Sequence, residues 1–360
     1  MKRKVITLFL MIITFWLIFV TPTFAKTEYP TWELKNGKWY YMISSTNFYK
    51  NGYYKINDKY YIFDKNGVMR ANGWYCLKGT GYEDWYYLNA DGSAVTGWKK
   101  INGLWYYFDL SNARMVKNNT ILSNGKHYAL GSDGAMVTNG WMKKIWMYDA
   151  DTGKESYSWY YAGKDGVCAT GWRLINNKWY YFSDYGRMYS NTIAYTSEGT
   201  YAIATSGELF KNCWVKLYRT SYDSDHNPYQ KAIWYYADDD GQVYKGWHKI
   251  KGIWYYFDKT SGEMCDTNVR DNEKLYFFNS DGAMLANQWH KEVVTVPTST
   301  PYTETKWFYL DGSGAAVAGW KLIGGEWYYF EKNHFEMVSN TEMTIDGKTY
   351  QFASDGHLIQ

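Results

Sequence analysis

One motif returns along almost the whole of this 360-residue sequence and restricts what it can fold into. It is complete in Thr96–Asp109. There Gly97-Trp98 is followed, seven residues on, by Trp105-Tyr106-Tyr107-Phe108. It recurs as Gly171-Trp172 with Trp179-Tyr180-Tyr181-Phe182, and as Gly246-Trp247 with Trp254-Tyr255-Tyr256-Phe257. A further copy is Gly319-Trp320 with Trp327-Tyr328-Tyr329-Phe330. Trp98, Trp172, Trp247 and Trp320 are 74, 75 and 73 residues apart, and Trp32 and Trp39 begin the array with the same short spacing. Internal copies of this length are supersecondary units that bury their apolar faces only by stacking on neighbours.

Two variant units fill each period. One opens with Trp74, Trp141, Trp214 or Trp289, and its second Trp comes later, at Trp85, Trp159, Trp234 or Trp307. The other lacks the Trp pair and runs through Tyr60-Tyr61-Ile62-Phe63 and Lys126-His127-Tyr128-Ala129-Leu130. Its later copies contain Tyr201, Tyr276 and Tyr350. The count is about 14 units in a three-part cycle. Of the 19 Trp after residue 25, 18 occupy pair positions, and Trp146 is the exception. Trp-Tyr-Tyr-Phe is strong strand sequence. Asn-Gly and Asp-Gly, as at Asn102-Gly103 and Asp133-Gly134, favour tight turns. Each unit therefore reads as a β-hairpin. Strand alternation puts Tyr106 and Phe108 on one face and Trp105 and Tyr107 on the other. The Tyr106 and Phe108 positions are expected in the core, and Tyr128 and its equivalents are open to either a core or a ligand-facing role.

Composition agrees. Aromatics make up 21% of the chain, with 20 Trp, 39 Tyr and 16 Phe, which argues against disorder. Residues 1–25 read as a secretory signal: Lys2-Arg3-Lys4, an apolar run from Val5 to Val20, and Thr23-Phe24-Ala25 at the cleavage site. Residues 26–360 form the expected repeat array, exported and soluble once the signal is removed. Without the three leading basic residues the charge balances, 39 − 3 = 36 basic against 36 acidic. Nothing in that balance suggests nucleic acid or anionic lipid as a partner. Cys76, Cys168, Cys213 and Cys265 match no zinc spacing and are expected as small buried residues.

The combination of Gly-Trp, seven-residue spacing, Trp-Tyr-Tyr-Phe and a following Gly-x-Met, as in Gly134-Ala135-Met136 and Gly282-Ala283-Met284, resembles the cell-wall-binding repeats of Gram-positive surface proteins, best known in choline-binding modules. The resemblance covers about residues 30–360. It implies an all-β solenoid, a left-handed superhelix of about 14 stacked hairpins with three per turn. It also implies ligand sites between neighbouring hairpins, each with two aromatics from one hairpin, one from the next, and often a Met alongside. Carried onto this sequence, the sites are Trp32, Trp39 and Tyr61; Trp98, Trp105 and Tyr128; Trp172, Trp179 and Tyr201; Trp247, Trp254 and Tyr276; and Trp320, Trp327 and Tyr350. The long units would give Trp74, Trp85 and Tyr106, and Trp141, Trp159 and Tyr180, with a Trp spacing that departs from the pattern. At Trp214 and Trp289 the usual Gly is replaced by Cys213 and Gln288, and no site is assigned there.

The resemblance implies an exported, wall-associated protein that binds choline-type groups of teichoic acids. A glucan or host glycan is the alternative, because the same flat faces stack on sugar rings. No catalytic signature is present, no segment is left for a catalytic domain, and no cofactor or metal is expected. Asp149–Gly153 and Asp223–Asn227 lack the spacing of a calcium loop and read as turns. Residues 142–158, 215–233 and 290–306 are expected as projecting loops.

Overall fold

The computed structural model describes residues 28–79, 82–150, 153–296 and 302–359. The signal assigned to residues 1–25 lies outside them. Among the described residues the fold is all-β: 28 strands make 14 sheets, each of two antiparallel strands consecutive in sequence. No helix there is long and apolar enough to cross a membrane. Contacts divide the chain into two units. One runs to Asn119 and includes Leu130–Met136; the other holds Thr120–Ala129 and the residues from Val137 onward.

The short hairpins share one register. In Gly97–Ile101 against Leu104–Phe108, Trp98 lies opposite Tyr107 and Lys100 opposite Trp105. In Gly171–Ile175 against Lys178–Phe182, Trp172 lies opposite Tyr181 and Leu174 opposite Trp179. The expected alternation holds. Phe108, Phe182, Phe257 and Phe330 are fully buried, whereas Trp105 and its equivalents face out. The Tyr106 position is less uniform than expected. Tyr86, Tyr160 and Tyr235 are buried, but Tyr61, Tyr106, Tyr180 and Tyr255 are half-buried.

The long units differ from expectation. Their extra residues are mostly strand, not loop. Gly140–Asp149 pairs with Lys154–Ala162, Cys213–Tyr222 with Pro228–Ala237, and Gln288–Val296 with Tyr302–Leu310. Trp146 sits at a register shift in the first of these. The added length is largely exposed, as Tyr218, Tyr222 and Tyr229 show, and burial resumes at its base, where Leu217 and Ile233 join Ala202, Val215, Tyr235, Ala237 and Val243 in one core cluster. Each long hairpin follows a Trp-poor hairpin. Asp223 closes one tip as a turn: its Oδ1 accepts from the backbone N–H groups of Asp225 and Asn227 at 2.9 and 2.8 Å. Of the residues expected as loop around Val296–Pro301, 297–301 fall outside the described residues.

Neighbouring hairpins are tied by backbone. After Phe108 the chain turns back, and the N–H of Met115 donates to the carbonyl of Trp85 in the preceding hairpin at 2.7 Å. Met188 to Trp159 (2.8 Å), Met264 to Trp234 (2.8 Å) and Met337 to Trp307 (2.8 Å) repeat the bond. Gly134 then closes over Met115. Its φ is +81°, and a Cβ there would stand 2.5 Å from the Met115 sulfur, so only glycine fits. Gly282 packs on Met264 in the same way, whereas Gly186 and Gly262 close over Cys168 and Val243.

Candidate ligand-binding hollows

Cross-strand register brings the two indoles of each pair to one face. Trp32 and Trp39 stand 6.4 Å apart by ring centroids at 86°. The pair distances are 6.2 Å for Trp74 and Trp85, 6.3 Å for Trp98 and Trp105, and 6.3 Å for Trp141 and Trp159. They are 6.5 Å for Trp172 and Trp179, 6.4 Å for Trp247 and Trp254, and 6.5 Å for Trp320 and Trp327. All are near perpendicular. The second indole of a pair is an outer wall, with Trp39, Trp105, Trp179, Trp254 and Trp327 between 40% and 47% exposed. None of the 18 paired indoles is buried.

The third ring comes from the next hairpin. Tyr61 lies 4.9 Å from Trp32, Tyr106 4.9 Å from Trp74, and Tyr180 5.0 Å from Trp141. Tyr201 lies 4.7 Å from Trp172, Tyr276 4.6 Å from Trp247, and Tyr350 4.8 Å from Trp320. Each meets its Trp edge to face. Tyr128 belongs to the second unit, where it bridges to Val167. The long units therefore bring their residues together as the short ones do. Cys76 lies opposite Trp85 and Lys143 opposite Trp159, the same register as Lys100 and Trp105.

Two clusters escaped the sequence reading. Trp214 and Trp234 stand 6.4 Å apart with Tyr255 4.9 Å from Trp214. Trp289 and Trp307 stand 6.3 Å apart with Tyr328 5.1 Å from Trp289. The missing Gly misled. The left-handed residue in these units is the preceding Asn, Asn212 and Asn287 at φ 52°, and Asn tolerates that conformation. The signal was in the sequence one position earlier.

Two of these clusters line well-formed hollows. Trp74, Trp85, Tyr106 and Met115 enclose about 390 Å³, with Lys117, Ser132 and Asp133 completing the lining. Trp214, Trp234, Tyr255 and Met264 enclose about 360 Å³, completed by Ser280 and Asp281. Each thus uses two adjoining hairpins and the turn that follows a third. Met becomes Leu209 and Leu358 behind Trp179 and Trp327. Trp247 is fixed further, its Nε1 donating to Asp271 at 3.1 Å. Lys259, 2.7 Å from the same carboxylate, holds the Asp271 carboxyl below its ordinary range, with help from that indole bond.

Electron-rich faces around a small apolar hollow suit a quaternary ammonium ion, which has no N–H to donate. Burial pushes the Cys168 and Cys265 thiols up to about 11, so they are protonated at neutral pH. Among the described residues no group of three or more His, Cys, Asp or Glu is placed to hold a metal ion.

Residues 95–141, 169–214 and 230–268 match the model of the choline-binding repeat. Residues 269–284 and 318–333 match that of the putative cell wall binding repeat. Glucosyltransferase-S of Streptococcus mutans is 32% identical over 234 residues, covering 64% of this chain and 14% of that protein. Glucosyltransferase-I of Streptococcus downei is 27% identical over 298 residues, covering 75% of this chain and 16% of that protein. The chain thus spans a small fraction of the length of these relatives. Among solved structures, choline binding protein F from Streptococcus pneumoniae is 22% identical, with 81% of this chain and 100% of that one covered at a TM-score of 0.41. The matched segments thus coincide with hairpins that bear the aromatic clusters, and over those segments the chain carries choline-binding and putative cell wall binding repeats.

Proposed function

We propose that this chain is a non-enzymatic, exported binding array that holds choline-type groups of wall teichoic acids in the hollows between its hairpins. The observation that carries the reading is the paired perpendicular indoles, partly open, with a tyrosine from the next hairpin as third wall. A well-placed ring contributes roughly 0.5–2 kcal/mol to holding a cation. Three rings give a few kcal/mol, so a single hollow binds at about millimolar strength. A polymer that engages several hollows at once binds far more tightly without any new contact. Repetition of weak sites therefore suits a repetitive ligand. Trp32, Trp39 and Tyr61, and the equivalent trios described above, are the residues assigned to ligand, now joined by Trp214, Trp234 and Tyr255 and by Trp289, Trp307 and Tyr328.

A second reading is favoured by one observation: the curated relatives bear the name glucosyltransferase, and their matched segments align with these repeats. Indole faces stack on sugar rings as well, and a glucan would then replace the ammonium-bearing polymer. Chromatography separates the two. The protein is expected to bind a resin bearing quaternary or tertiary amines and to elute with free choline. Retention on dextran with release by sugar, and none on the amine resin, would overturn the first reading in favour of the second.

A further inference from the structure

The two open hollows share their rings and their methionine, yet differ in charge. The first has Lys117 in its lining, together with Asp133. The second has Asp281 and no lysine in its lining, and the Lys216 ammonium stands 5.2 Å from the Trp234 ring centroid, outside that lining. Lys117 stands two residues after the methionine that backs its hollow, and at that position in the second repeat the sequence has Asp266. A bare quaternary ammonium gains from an aspartate at the opening and loses from a lysine. A ligand that carries an anion beside its ammonium can place the cation against the rings and the anion on a lysine. We infer that Lys117 makes the hollow of Trp74, Trp85 and Tyr106 selective for zwitterionic, phosphate-bearing choline. The hollow of Trp214, Trp234 and Tyr255 favours the bare cation. This inference rests on the reading of the hollows as hosts for ammonium groups.

The geometry supports the pairing. Lys117 is exposed and lines the same cavity as the rings, so its ammonium reaches the guest without leaving water. Among the described residues no carboxylate is in ion-pair contact with it, whereas Lys143, Lys178 and Lys306 are held at 2.6, 2.7 and 2.6 Å by Glu155, Glu208 and Glu336. A charge pair so exposed is a modest, salt-sensitive effect.

The test uses the full chain labelled with 5-fluorotryptophan, with the fluorine signals of Trp85 and Trp234 assigned by Trp85→Phe and Trp234→Phe. Choline and phosphocholine are titrated at low and at high salt. At Trp85 the preference for phosphocholine over choline is expected to exceed that at Trp234 by roughly two- to fivefold at low salt, and the excess to shrink at high salt. Lys117→Gln should abolish the excess and Lys117→Arg should retain it. Equal preferences at the two sites, or a preference unchanged in Lys117→Gln, would overturn the role of Lys117 while leaving the ammonium reading standing. If neither ligand moves either signal, the ammonium reading itself falls and this inference with it.

Discussion

Ile233 and Trp234 are neighbours on one strand and belong to two different kinds of junction. Ile233 is 7% exposed and packs with Leu217 and Tyr235 against the Trp-poor hairpin before it. Trp234 is 37% exposed and lines a hollow shared with Tyr255 of the hairpin after it. The backbone is alike at both, so side-chain shape decides which junction fills and which stays open. Two indoles set at right angles cannot pack flat, and the next tyrosine meets them by an edge. Smaller residues and stacked tyrosines close completely. Tyr53 and Tyr60 occupy the positions of a Trp pair but lie parallel, 4.9 Å apart at 7°. Tyr86 of the next hairpin is then sealed at 1% exposure. The hydroxyl of Tyr53 donates to the carbonyl of Asn112 at 2.9 Å, and that of Tyr60 donates to the carbonyl of Ser111. Closed junctions hold the array together, and open ones are free to bind.

The sharpest way to break this comparison is to cut on each side of the same strand. Ile233→Ala should cost about 2–5 kcal/mol locally, since it removes buried methylenes and leaves a cavity. Repeat arrays need not unfold in one step, so the measurement is amide exchange along 213–237, where faster exchange is expected while distant hairpins keep their protection. Choline binding to the array as a whole should persist.

Opening a closed junction is the converse. Tyr53→Trp with Tyr60→Trp should destabilise the hairpin by about 1–3 kcal/mol through overpacking. It should add no binding equivalent in calorimetry, because Tyr86 has no free face to offer. An extra equivalent would mean that indoles alone make a site and that the following tyrosine is irrelevant.

Much of this was legible because the array repeats its own grammar. The hairpins, their alternation and six of the ring trios follow from Trp spacing and from the Tyr that comes next. The long units were harder for a physical reason. Residues counted along the chain between Trp214 and Trp234 include both arms of the extension, and each added cross-strand pair lengthens that count by two without moving the register. Spacing therefore changes while the site does not. Cys213 and Gln288 misled because left-handed backbone is supplied by whichever of two adjacent residues tolerates it. The parallel stacking of Tyr53 and Tyr60 is a packing outcome, and no local pattern announces it.

Trp234→Ala removes a wall from an open junction. The guest of that hollow should lose one ring's contribution, about 0.5–2 kcal/mol, or roughly two- to thirtyfold in affinity. A fluorine probe on Trp214 should report the loss. Exchange protection along 213–237 should change less than in Ile233→Ala, because the indole is already half in water.

The smallest effect separates the cation from the sugar. Asp281 lines the hollow of Trp214, Trp234 and Tyr255, where its carboxylate faces whatever enters. A cation feels that charge and a neutral glucan does not. Asp281→Asn keeps the side chain's size and should weaken choline at the Trp234 signal by roughly 1.5- to 5-fold at low salt. The difference should fade as ionic strength rises, because the carboxylate is exposed and screened. Binding of a neutral glucan oligomer should not change at any salt concentration. Choline affinity that ignores both the substitution and the salt would mean that the guest's charge never approaches this opening, and the rings would then be reading a flat apolar surface rather than a cation.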